Sequence, residues 1–158
     1  MSTADKNLSE FSSELPDGSH FKIGIVCAEW NDTITTSLLN GALKTLEEAG
    51  VKSTNLIIHH IPGTFELPLS AQRLAADLNV DGVICIGCVV QGETPHFDFI
   101  CQAAANGIMD VGLKFNKPII FGVLTTNTMQ QAEDRAGGKH GNKGEEAAFS
   151  LLKMLTLR

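Results

Sequence analysis

The sequence predicts an α/β fold, a three-layer αβα sandwich around a four-stranded parallel sheet, preceded by an N-terminal arm. Three observations lead there. Strand-like and helix-like segments alternate four times along the 158 residues. The connections are short, and helical crossovers between successive strands demand parallel pairing. The strand-like segments are continuous apolar runs rather than alternating ones, the pattern of a sheet covered on both faces. The length suits one domain with a core of its own. A composition of 43% hydrophobic and 19% charged residues is that of a soluble globular chain.

Residues 1–20 are polar and carry a turn signal at Pro16-Asp17-Gly18, so they read as an arm, with a single domain over residues 21–158. Residues 21–28 form an apolar run, hence the first strand, and it breaks at Glu29-Trp30-Asn31-Asp32. Ile34, Leu38, Leu39, Ala42, Leu46 and Ala49 then recur at helical spacing and stop at Gly50. Residues 55–61 are the second strand, ending at Pro62-Gly63; Leu67, Ala71, Leu74, Ala75 and Leu78 make a second helical stripe. Residues 82–90 are the third strand, and after residues 92–95 a third helical face carries Ile100, Ala104, Ile108 and Val111. Residues 118–125 are the fourth strand. A short helix is expected over residues 128–136, a glycine-rich loop over 137–144 and a last helix over 145–155.

Charge and cysteine usage exclude several function classes. A formal net charge of −6 disfavours nonspecific nucleic-acid binding. No apolar run reaches the roughly 18 residues of a membrane helix. The first twenty residues hold no apolar stretch of the secretory kind, so the four cysteines read as reduced thiols of a cytoplasmic protein. Cys85-Ile86-Gly87-Cys88 is a CxxC, but it lies inside a strand, where residues three apart face opposite sides and cannot converge on one ion. His59-His60 fails as a metal pair by the same alternation, and no cysteine, histidine and carboxylate set has zinc spacing. The glycine-rich run 137–144 lacks the Walker spacing and lies between helices, so it reads as a helix break.

Open parallel sheets bind ligands beyond the carboxyl ends of their strands. That singles out four loops: residues 29–32, 62–66, 91–96 and 125–127. In the third, Thr94 suits a helix N-cap, Pro95 the first helical position, and Gly92 a close approach of backbone to ligand. Free N–H groups at such a helix start make an anion site, although the Glu93 carboxylate opposes one. His96 falls in the first turn beside it, where an imidazole can exchange a proton near neutral pH. Arg135 is harder to place. Near the end of a short helix after the fourth strand, it points away from the other three loops in a single chain. It is either a surface residue or part of a site shared between chains.

Five stretches stand in order: Trp30-Asn31-Asp32; Pro62-Gly63-Thr64-Phe65-Glu66; Gly92-Glu93-Thr94-Pro95-His96-Phe97-Asp98; Phe121-Gly122-Val123-Leu124-Thr125; and Arg135-Ala136-Gly137 through Gly141-Asn142-Lys143-Gly144. From about Phe21 to the C-terminus the chain resembles the 6,7-dimethyl-8-ribityllumazine synthase family. The resemblance implies a flavodoxin-like fold and a transferase of riboflavin biosynthesis. That enzyme condenses 5-amino-6-(D-ribitylamino)uracil with 3,4-dihydroxy-2-butanone 4-phosphate, releases phosphate and water, and uses neither metal nor organic cofactor. It implies that Trp30, with Asn31 beside it, stacks on the pyrimidine, where many relatives have Phe. The segment Pro62 to Glu66, with Thr64 and Phe65 in it, then holds the ribityl chain, Glu66 accepting its hydroxyls, and Cys88, Val89 and Val90 meet the pyrimidine edge, with Cys88 in place of a more usual Thr or Ala. Glu93 and Thr94 match the phosphate loop and His96 the proton-transfer residue. Phe121, Arg135 and Lys143 match residues given by a neighbouring subunit, with Arg135 on the phosphate.

The family resemblance further implies a homopentamer, and a 60-subunit icosahedral shell with riboflavin synthase as a candidate partner. Rival readings fit less well. The archaeal-type riboflavin synthase shares the fold, but the intact stretches 62–66 and 92–98 favour the lumazine-forming enzyme. An FMN-binding flavodoxin needs a Ser/Thr/Gly-rich loop where residues 29–32 stand, and a receiver module needs a fifth strand. A noncatalytic flavin-binding or shell protein would not need His96, Arg135 and Lys143.

Overall fold

The computed structural model describes residues 14–157. The sheet is built of β1 (Ile23–Ala28), β2 (Leu56–Ile61), β3 (Gly82–Val90) and β4 (Ile119–Thr126), all parallel, in the order β2-β1-β3-β4. The helices are α1 (Asp32–Glu48), α2 (Leu67–Ala75), α3 (His96–Phe115), α4 (Met129–Glu133) and α5 (Lys143–Leu155). The three-layer arrangement expected from the alternation is present, with helices on both faces. Most of the arm expected over residues 1–20 lies outside the described residues. From Glu14 onward the arm is described: the Gly18 N–H donates to the Ala49 carbonyl (2.8 Å), and Leu15 packs against the core beneath α1 and α5.

The apolar runs of β1 and β3 serve two cores at once, because successive side chains point to opposite faces. Ile23, Ile25, Cys27, Ile84, Ile86 and Cys88 face one way and pack with Leu38, Leu46, Leu151 and Leu152 of α1 and α5. Val26, Val83 and Cys85 face the other way, toward Leu67, Ala71, Leu74, Ile108 and Val111 of α2 and α3. Each wholly buried leucine stabilises the fold by about 1.5–3 kcal/mol. Cys85 and Cys88 therefore belong to different cores, as the strand geometry requires, and both thiols are free.

Three local expectations need correction. The helix expected over residues 128–136 is shorter, Met129–Glu133, with the Thr128 hydroxyl accepting the Gln131 N–H at its start (3.3 Å). The glycine-rich loop is instead an antiparallel hairpin of β5 (Ala136–Gly138) and β6 (Gly141–Asn142), reached through Gly137 at φ 107° and Gly141 at φ 72°. These left-handed conformations suit glycine and let the chain reverse too tightly for a helix to continue. Arg135 thus sits in the turn between α4 and β5, not within a helix. At α3, Pro95 rather than Thr94 holds the capping position, and no side chain caps the helix.

α1 and α5 pack closely against each other at Gly144. A Cβ on Gly144 would lie 1.8 Å from the Leu38 carbonyl oxygen, and that oxygen is fixed in the α1 backbone. Gly144→Ala is expected to cost on the order of 3 kcal/mol, the upper range of overpacking, read as a drop in thermal midpoint.

Burial pushes the Cys85 thiol from 9.0 up to about 12, and that of Cys88 up to about 11. The unfolded chain releases these protons near its ordinary value, so their contribution to stability is intact below pH 9 and is lost as pH rises from there toward 12. Denaturant midpoints should accordingly be lower at about pH 10 than at about pH 8. The same midpoints in a variant with both thiols replaced by alanine should fall less.

Candidate functional site

The strand order creates a switch point. The chain leaves β1 for α1 on one face and leaves β3 for α3 on the other, so a crevice opens between their carboxyl ends. Backbone and side-chain bonds stitch its floor. The Glu29 and Trp30 N–H groups donate to the carbonyls of Ile61 and Pro62 (2.8 and 3.1 Å), tying the loop after β1 to the loop after β2. Asn31 adopts a left-handed conformation, φ 60° and ψ 47°, which asparagine tolerates better than most residues. Its carbonyl accepts the Ile34 and Thr35 N–H groups that start α1, and its Nδ2 donates to the Cys88 carbonyl at 2.9 Å. The carboxamide therefore joins the ends of β1 and β3.

A cleft of about 540 Å³ stands on this floor. Trp30 and Asn31 border it from the loop after β1, and Thr64, Phe65 and Glu66 from a single 3-10 turn after β2. Cys88, Val89 and Val90 form its wall at the end of β3, and Thr94 and His96 close it at the start of α3. Thr64 is buried under the turn, whereas Trp30 is 73% exposed and Phe65 58%. Two large aromatic faces thus stand open beside the cleft, the arrangement that stacks a flat heteroaromatic ring. The α3 ladder begins with the Asp98 N–H on the Pro95 carbonyl (3.0 Å), so the His96 and Phe97 N–H groups lie at the free helix start, where an anion is favoured. A Cβ on Gly92 would meet no protein atom within 4 Å. Packing therefore does not require a glycine there.

Ten of the expected residues meet in this cleft: Trp30, Asn31, Thr64, Phe65, Glu66, Cys88, Val89, Val90, Thr94 and His96. Glu93 is in the loop but does not line it. Phe121, Arg135 and Lys143 are elsewhere, in a second cleft of about 510 Å³ along β4, the turn at Arg135 and α5. The fourth loop goes with them, since Thr125 and Thr126 line that second cleft. Pro62, Gly63, Phe97 and Ile100 complete the first cleft. Pro62, Gly63 and Phe97 belong to the stretches singled out in the sequence, whereas Ile100 was legible only as part of a helical face.

Charge is divided between the two clefts. The first is lined by one carboxylate, Glu66, and one imidazole, and by no lysine or arginine. The second holds two cations. The Arg135 guanidinium donates to the Gln131 carbonyl (2.9 Å), and Lys143 Nζ pairs with Glu146 Oε1 (2.5 Å). Glu146 was missed by the sequence reading, though its i, i+3 spacing from Lys143 is a signal that could have found it. Among the described residues no group of three or more histidines, cysteines and carboxylates stands close enough to hold a metal ion. No helix among them is long and apolar enough to cross a membrane.

Clefts at the switch point of an open parallel sheet are where α/β enzymes hold small substrates, and that is the class of protein this fold and cleft define. Sequence comparison narrows the class. The family model of 6,7-dimethyl-8-ribityllumazine synthase matches residues 20–158. The chain is 61% identical over 155 residues to the 6,7-dimethyl-8-ribityllumazine synthase of Cytophaga hutchinsonii, with 98% of each chain covered. It is 55% identical over 158 residues to that of Porphyromonas gingivalis, covering 99% of this chain and 98% of the relative. It is 53% identical over 156 residues to that of Parabacteroides distasonis, covering 98% of each. The chain belongs to the 6,7-dimethyl-8-ribityllumazine synthase family.

Proposed function

We infer that the protein forms 6,7-dimethyl-8-ribityllumazine, a step of riboflavin biosynthesis, from 5-amino-6-(D-ribitylamino)uracil and 3,4-dihydroxy-2-butanone 4-phosphate. The observation that carries the reading of the site is the division of charge. A phosphate dianion bound at the start of α3 needs a cation as well as N–H donors, and the cleft that offers the helix start has none. The cations Arg135 and Lys143 line a different cleft of the same chain. The two clefts are complementary halves, and a complete site joins the first cleft of one copy to the second cleft of the next. Such a head-to-tail join closes as a ring; the family resemblance makes that ring a homopentamer with a shell of sixty copies as its extension, and the location the cytoplasm.

In such a site Trp30 stacks on the pyrimidine, Glu66 accepts hydroxyls of the ribityl chain, and the end of β3 meets the pyrimidine edge. Arg135 from the neighbouring copy clamps the phosphate against the free N–H groups of α3. Phe121 covers the stacked ring from the same side. Imine formation, phosphate loss and ring closure move protons among substrate atoms, and His96 carries them at the mouth of the cleft. Most of the acceleration comes from holding two reactants in register.

The direct test mixes both substrates with purified protein and follows the product's visible absorbance; no product formation overturns the reading. His96→Ala should lower kcat about 10- to 100-fold, toward the lower end of acid–base contributions. An unchanged kcat removes His96 from proton transfer. Arg135→Ala should raise KM for the phosphorylated substrate by about 10-fold or more, the scale of a lost charge-assisted hydrogen bond, and leave KM for the pyrimidine nearly unchanged. Equal effects on both constants would count against a phosphate contact.

A further inference from the structure

Arg135 and Lys143 stand at the two feet of the β5–β6 hairpin, where the Lys143 N–H donates to the Arg135 carbonyl (2.9 Å) and the His140 N–H to the Asp134 carbonyl (2.8 Å). Besides the packing of Ala136 against the core, the hairpin is held by polar contacts to one face of α1. The Ser37 hydroxyl donates to the Ala136 carbonyl at 2.5 Å. In return, Asn142 Nδ2 donates to the Ser37 carbonyl at 2.9 Å, while Asn142 Oδ1 accepts the Gly144 N–H at 2.8 Å. One carboxamide thus caps α5 and reaches back to α1. The fit is tight: a Cβ on Gly41, one turn beyond Ser37, would lie 2.5 Å from the Asn142 carboxamide carbon. Asn142 is 9% exposed, and neither it nor Ser37 lines either cleft.

We propose that Ser37 and Asn142 are positioning residues for the phosphorylated substrate. By seating the hairpin on α1 they fix where Arg135 and Lys143 stand, and so set affinity for the phosphate without touching it. This rests on the assignment of Arg135 to the phosphate made above. The physical ground is that a guanidinium pays off as a clamp only in a narrow geometry, and displacements of about 1 Å can cost as much as 100-fold. Arg135 belongs to no strand or helix. Its main chain is held by the turn from Ala132 and by the hairpin, and the hairpin is anchored through Ala136 and Asn142.

Ser37→Ala tests this in the full-length assembled protein. Alanine favours the helix, so the fold persists, and the thermal midpoint checks it. Removing one hydrogen bond should raise KM for the phosphorylated substrate about threefold to tenfold, with KM for the pyrimidine and kcat at saturation unchanged. Amide exchange at His140 and Lys143 should quicken while exchange in β1 and β3 does not. Arg135→Ala run in parallel separates the two ideas. If it leaves KM for the phosphorylated substrate unmoved, the phosphate assignment fails and the positioning role fails with it. If Arg135→Ala raises that KM while Ser37→Ala changes neither it nor the hairpin exchange, or raises both KM values alike, the assignment stands and the positioning role is overturned.

Discussion

The chain leaves β1 toward one face of the sheet and β3 toward the other, and the crevice between these departures is the constraint on which the site depends. Two neighbouring parallel strands with crossovers on opposite faces cannot keep their loops in contact, so the ends part. Here the gap is bridged at its base by the Asn31 carboxamide on the Cys88 carbonyl (2.9 Å). That one bond requires a residue that tolerates a left-handed backbone and carries a donor at the end of a short side chain. Asparagine meets both conditions; aspartate lacks the donor and glycine the side chain. Above the bridge, Trp30 stands exposed to solvent.

The division of charge is the counterpart of this geometry. A cleft bounded by β1, β2 and β3 can draw on three loops, and all three place aromatic or polar groups in it, among them Trp30, Glu66 and His96. The cations lie beyond β4, because the hairpin and the start of α5 are the next chain available and they pack over the α1 side of the sheet. Glu146 keeps Lys143 paired in the single chain. An anion entering this cleft would compete with that carboxylate for Lys143, whereas the Arg135 guanidinium is engaged, among the described residues, by the neutral Gln131 carbonyl. The two cations are thus unequally available, which agrees with giving the arginine the phosphate.

Legibility in the sequence followed the length of the local signal. β1 and β3 are continuous apolar runs and were readable, as were α1 with its stop at Gly50 and the gathering of the first three loops at one edge. The end of α4 was not, because the chain turns at Asp134, whose carboxylate is held by Lys139 (3.0 Å) and Gln130 (3.2 Å); no apolar periodicity records such a turn. The hairpin was missed because strands of three and two residues have no period to detect. The placement of Thr94 failed by one position, as helix boundaries often do. Asn142 stands in a recognised stretch, but nothing in the sequence pairs it with Ser37. Their contact spans 105 positions, and each alone is an ordinary polar residue.

Trp30 is the single tryptophan of the chain, and there is no tyrosine. Nature has thereby placed the whole of the protein's indole emission at the rim of one cleft, with nothing elsewhere to dilute it. Light emitted by the native protein reports the polarity and occupancy of that rim alone, so a titration followed by fluorescence needs no label and no correction for distant chromophores.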